Sequence, residues 1–206
     1  MLASFQSYSN GLLIGAGLIM AIGAQNAFVL AQGLRREHHV SVALVCMTCD
    51  ALLIGAGIFG LATLLQQHPL VLEITRWSGV LFLSLYAILA LRRALGTQTL
   101  SASIRPRRSR RTVLFATLAV TLLNPHVYID TVVLIGAIGA QQRVPAGFAL
   151  GAVTASSIWF LVLALGAARL APVLARPSTW RWVDGAVAVM MASVAWSLAS
   201  PAFQTP

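Results

Sequence analysis

Apolar positions along the chain gather into six runs, residues 10–33, 40–65, 71–94, 112–137, 145–169 and 182–200, separated by short polar or arginine-bearing connections. About 20 mainly apolar residues suffice for a helix to cross roughly 30 Å of hydrocarbon. The pattern therefore predicts an all-α integral membrane protein of six transmembrane helices. Its 206 residues leave no room for a soluble domain, so the whole chain reads as one transmembrane domain.

Two runs are interrupted by polar groups, which hydrocarbon tolerates only where they meet a partner or a water-filled cavity. The first carries Gly23-Ala24-Gln25-Asn26, and the fourth carries Leu122 to Asp130, reading LLNPHVYID. Pro125 lacks a donor and clashes with the preceding turn, so carbonyls near Thr121 and Leu122 lose their helical partners and the segment bends or opens. Opened half-helix ends present amides and carbonyls suited to an amino acid's carboxylate and ammonium, with Asn124 as an adaptable donor and acceptor. Gln25 and Asn26 are placed to meet this break from the first segment. His126 and Asp130 are four apart, hence on one helical face, as are Asn124 and Tyr128. One His and one Asp suit a proton relay but are too few to assign a metal. Asp130 lies about 9 Å beyond Asn124 along an ideal helix, in an exit path or an interfacial cap.

Asp50 stands near the middle of the second run, and no Lys or Arg occupies the centre of any run. With no fixed cation to cancel its charge, it is either protonated or facing water and a mobile cation, the two states that proton coupling requires. The interior inventory of two acids and no base except His126 attracts cations: a basic amino acid, an organic amine or a metal ion.

Composition agrees: 58% of residues are hydrophobic and 9% charged, against about 25% charged in soluble domains. The net charge of +9 would suggest nucleic acid in a soluble protein. Here the arginines fall between apolar runs and dictate orientation instead. The connections after runs one, three and five carry twelve of them, Arg35, Arg36, Arg92, Arg93, Arg105, Arg107, Arg108, Arg110, Arg111, Arg169, Arg176 and Arg181, while the opposite side has Arg76 and Arg143. Positive loops stay cytoplasmic, so both termini are expected outside. The stretch 96–111 is a solvated basic loop able to attract anionic lipid. Phe5, Tyr8, Trp77, Trp180 and Trp182 sit where interfacial belts are expected, whereas Trp159 lies deeper and reads as packing. Residues 1–34 lack the positive start of a secretory signal, so the first helix is expected to be retained. Cys46 and Cys49, one turn apart, read as two small buried side chains. A membrane thiol-disulfide carrier is the weakest alternative, since no second cysteine pair exists.

Thr48-Cys49-Asp50 lies 106 positions before Thr154-Ala155-Ser156, and Gly79 of Arg76-Trp77-Ser78-Gly79 lies 106 before Gly185 of Arg181-Trp182-Val183-Asp184-Gly185. Three runs per half force opposite orientations, a 3+3 inverted repeat with broken helices in segments one and four. Repeat one covers about 1–95, the basic cytoplasmic loop 96–111 and repeat two 112–206. Gly11-x3-Gly15 and Gly147-x3-Gly151 set small residues on one face for close helix packing. Asp184, three after Arg181, reads as half of a solvated helical pair, as does Glu73 with Arg76.

The run from Ile22 to Arg36, then Cys49-Asp50, Arg76-Trp77, and Leu123-Asn-Pro-His-Val-Tyr-Ile-Asp130 with Gly136 resemble the LysE family of basic amino-acid exporters. The similarity extends through all six runs, and its paired GxQN and LNPxxYxD patterns are specific together. The resemblance implies export of L-arginine, and of L-lysine as a second substrate, across the bacterial inner membrane, coupled to the proton gradient, by an antiporter without cofactor. It carries binding roles onto Gln25, Asn26, Asp50, Asn124, Pro125 and Tyr128 and coupling roles onto Asp50 and Asp130, with His126 secondary. Oligomeric state stays open. One departure is Ala24, where the family usually has proline.

Overall fold

A computed structural model describes residues 2–20, 23–61, 69–95, 109–172 and 177–200. Helices occupy all six apolar runs, and no strand occurs among the described residues. Run one holds α1 (Leu2–Ile19) and α2 (Ala24–Arg35), and run two holds α3 (His39–Ala56), prolonged by a π-helical turn over Gly57–Leu61. Run three is α4 (Pro69–Leu95). Run four is divided into α5 (Arg110–Leu122), α6 (Pro125–Val127), a π-helical stretch Tyr128–Leu134 and α7 (Ile135–Ala140). Runs five and six are α8 (Pro145–Leu170) and α9 (Pro177–Ala199).

Among the described residues, His39–Gly60 and Pro145–Leu170 are each long and apolar enough to cross a bilayer. A third span results if α1 and α2, bent by 80° from one another, form one broken crossing. Val80–Arg92, Tyr128–Ala140 and Trp182–Trp196 are apolar helices of shorter reach. Leu13, Leu52, Leu81, Leu150 and Val162 point outward. Such a surface suits lipid, where outward apolar side chains cost nothing. Phe5, Trp77 and Trp182 are exposed near helix ends, as an interfacial belt requires; the side chain of Trp180 and residues 96–108 of the basic loop lie outside the described residues. Ser109 opens α5 by accepting the Thr112 amide on its hydroxyl, an ordinary N-cap.

Close backbone approach holds the bundle together. A Cβ on Gly11 would sit 2.0 Å from the Phe148 carbonyl oxygen, and one on Gly151 would sit 2.1 Å from that of Tyr8. Only glycine permits these contacts, so the two small-residue motifs are the seam between α1 and α8. The pairs rise together along both helices, Tyr8 with Gly151 and Gly15 with Ala152, which makes the helices parallel. A second seam joins α3 to the fourth run, where Gly57 lies against Val132 and Gly136. Gly60, at φ +126°, then turns the chain out of α3 in a conformation natural to glycine.

The end of α2 is anchored differently. Arg36 adopts the left-handed conformation at φ 54°, returning its amide to the Gln32 and Gly33 carbonyls. Its Nε donates to the Ala168 carbonyl, 2.9 Å away. Arg35 forms an ion pair with Asp184 of α9. The expectation of a solvated position for Asp184 is thereby corrected; the side chain of Arg181, its expected partner, lies outside the described residues. Asp184 is 2% exposed, and α9 turns it inward onto the α2 terminus, a tertiary contact that local spacing does not register.

Candidate functional site

Both helix breaks face one another. Asn124 ends the first half of run four and caps the second: its Oδ1 accepts the His126 amide at 3.2 Å, with Pro125 at the first helical position, where no amide is needed. The Leu122 carbonyl takes the Tyr128 hydroxyl at 2.9 Å. Tyr128 thus closes the break that Pro125 opens. On the other side, Gly23 precedes α2 in an extended conformation, φ −134° and ψ −179°, with no side chain capping the helix. Asn26 spans this break, donating from Nδ2 to the Ile19 carbonyl at 3.0 Å.

Between the breaks lies a cavity of about 70 Å³, lined by Gly23, Gln25, Asn26, Asp50, Asn124, His126, Asp130 and a few neighbours. Six polar residues singled out in the sequence therefore converge from three distant stretches of chain. Tyr128 is not among the lining residues and shapes the break instead; the side chain of Pro125 lies outside the described residues. Asp50, 1% exposed, accepts the Ser156 hydroxyl on Oδ2 at 2.7 Å. The Gln25 amide is its other polar neighbour, and neither Oδ1 nor the Gln25 Nε2 completes a hydrogen bond of ordinary geometry. Buried polar atoms are rarely left so, because each costs about 1–3 kcal/mol. Their concentration beside a cavity is the arrangement expected of groups that await a ligand or water.

Electrostatics at the cavity have two signs. The N-terminus of α2 and the amides after Asn124 bring partial positive charge, while Asp50 and Asp130 bring carboxylates. Among the described residues, the lining includes no arginine. Among the described residues, no group of three or more His, Cys, Asp or Glu side chains is arranged to hold a metal. Cys46 and Cys49 are buried free thiols.

Two residues of α8 belong to the site that sequence reasoning did not place there. Ser156 was visible only as the repeat counterpart of Asp50, and nothing in that match signalled a hydrogen bond. Trp159, expected to pack, donates its indole N–H to Asn26 Oδ1 at 3.1 Å. Its depth in the run was the available signal, since a buried indole N–H needs an acceptor.

A helical membrane bundle with a buried polar cavity between two broken helices is the architecture of a translocator of polar solutes. The chain belongs to the LysE type translocator family, which matches residues 16–201. It is 45% identical over 201 residues to the YggA protein of Aeromonas salmonicida, covering 96% of this chain and 98% of that one. It is likewise 45% identical over 195 residues to the arginine exporter protein ArgO of Enterobacter sp. (strain 638) and to that of Salmonella schwarzengrund (strain CVM19633), covering 93% of this chain and 92% of each relative. No solved structure matches the chain.

Proposed function

We propose that this protein exports L-arginine, with L-lysine as a second substrate, from the cytoplasm across the bacterial inner membrane in exchange for protons. The observation that carries the reading is the cavity, which pairs helix amides with two carboxylates and has no fixed cation among its lining residues. A basic amino acid carries one carboxylate and two cationic groups. Its carboxylate suits the amides at Gly23–Asn26 or after Asn124, and a cationic group suits Asp50 or Asp130. The names of the ArgO relatives support arginine as the substrate.

The cavity of about 70 Å³ is small beside ligand pockets, which run to several hundred Å³, so the site must widen to load. Alternating access between two repeats of three spans supplies that opening. Two features support the inverted repeat. Asp50 and Ser156, at matching positions 106 apart, hydrogen bond across the centre. The Gly15–Ala152 contact between α1 and α8 also maps, by the same offset, onto Thr121 and Cys46, which stand against each other between α5 and α3. On this reading both termini lie outside, residues 1–95 and 112–206 form the repeats, and the 96–111 loop meets anionic lipid from the cytoplasm. Proton binding at the vacated Asp50, with Asp130 nearer the exit, completes the return step.

Reconstituted protein should show labelled-arginine counterflow that unlabelled arginine and lysine compete away and that excess divalent metal leaves unchanged. Efflux that keeps its rate and pH response in Asp50→Asn would remove Asp50 from the mechanism.

A further inference from the structure

We infer that Ser156 is a specificity-determining residue, which limits how far the site favours a guanidinium over an ammonium by occupying one oxygen of Asp50. The inference rests on the reading that a basic amino acid places its cationic end at Asp50. Ser156 is fully buried on α8, and its hydroxyl donates to Asp50 Oδ2 at 2.7 Å. Oδ1 completes no hydrogen bond of ordinary geometry. The carboxylate therefore meets the cavity with one satisfied oxygen and one open one.

A planar guanidinium recognises a carboxylate best through two parallel N–H donors, one to each oxygen, whereas an ammonium acts as a point charge. With one lone pair of Oδ2 engaged by serine, the second N–H of a guanidinium adds less there than it would to a bare oxygen, and either cation completes Asp50 through Oδ1. Ser156→Ala leaves Oδ2 without a donor. Arginine replaces the lost bond with its second N–H, but lysine leaves a buried oxygen unpaired. Trp159, one turn further along α8, holds Asn26 by a separate bond, so the amide side of the cavity is unchanged by this substitution.

The test is competition. Labelled-arginine counterflow in proteoliposomes is titrated with unlabelled arginine and with unlabelled lysine, and the ratio of half-inhibitory concentrations is compared among wild type, Ser156→Ala and Ser156→Thr. Ser156→Ala should shift the ratio toward arginine by about tenfold, the size expected for one buried acceptor left unpaired. Ser156→Thr, which keeps the hydroxyl, should restore the wild-type ratio. Should Ser156→Ala be too slow for flux, the ratio is read from ligand-induced thermal stabilisation of the purified protein in detergent. An unchanged ratio, a shift toward lysine, or a threonine variant that behaves like alanine would overturn the inference while leaving the substrate reading intact. A wild-type protein that binds neither amino acid overturns both.

Discussion

Two carboxylates are buried almost equally in this molecule, Asp184 at 2% and Asp50 at 1% exposure, and they are held in opposite ways. Asp184 is bound by the Arg35 guanidinium, a cation built into the fold. Asp50 has the neutral Ser156 hydroxyl and the neutral Gln25 amide beside it, at the edge of a cavity. A fixed counter-charge makes an acid part of the scaffold, because releasing it strands two buried charges. An acid without one remains responsive to whatever cation arrives. The same side-chain type thus does structural work where α2 meets α9 and is available for transport between the helix breaks.

The sharpest way to break that contrast is to neutralise each acid. Asp50→Asn should reduce arginine flux by a hundredfold or more while the protein still folds, because no fixed cation loses its partner; flux assays alongside thermal melts separate the two effects. Asp184→Asn should retain transport to within a few fold. Equal losses in both variants would end the distinction. Next in size is Arg35→Ala, which takes the guanidinium away from the buried Asp184. A loss of about 3–5 kcal/mol is expected from breaking such a pair, read as a lower midpoint in denaturant unfolding from detergent micelles. Arg35→Ala combined with Asp184→Ala should recover most of it, since no charge is then stranded.

The difference between the two acids also marks what the sequence made legible. Helices in all six runs were readable from apolar length, although only His39–Gly60 and Pro145–Leu170, with the bent pair of α1 and α2 as a third, reach the length and apolarity of a crossing, and Gly23 and Pro125 announced both breaks by local chemistry. Six cavity residues followed from one rule, that polar side chains in apolar runs have a reason. The partnerships were not readable. Arg35 and Asp184 are 149 residues apart, and no local spacing links them. The π-helical stretch Tyr128–Leu134 depends on how α3 packs against it at Gly57, which no window of sequence reports. Trp159 and Ser156 fit a packed helix as well as a site until their acceptors on α2 and α3 are in view.

A smaller effect tests the amide side of the cavity. Trp159→Phe keeps the ring and removes the donor to Asn26. One hydrogen bond contributes about 0.5–1.5 kcal/mol, so arginine flux should fall roughly threefold to tenfold through a higher half-saturating concentration. A loss in maximal rate alone would mean that Trp159 acts on the opening motion and not on the bound state.

The least effect is expected at the thiols. Cys46 and Cys49 are on the same helix as Asp50, both buried, and neither is in the cavity lining. A thiol-disulfide carrier needs a pair that can close into a disulfide and reach a reactant. Buried structural cysteines meet neither need. Replacing both with alanine removes two sulfur atoms from the α3 core and should lower stability slightly through the small voids left behind. Arginine flux should stay within about twofold of wild type, and pretreatment with dithiothreitol should change neither protein. A variant that folds yet loses transport while Asp50 is intact would move the responsive group of α3 from the carboxylate to the thiols, and the contrast between the two buried acids would no longer explain which of them works.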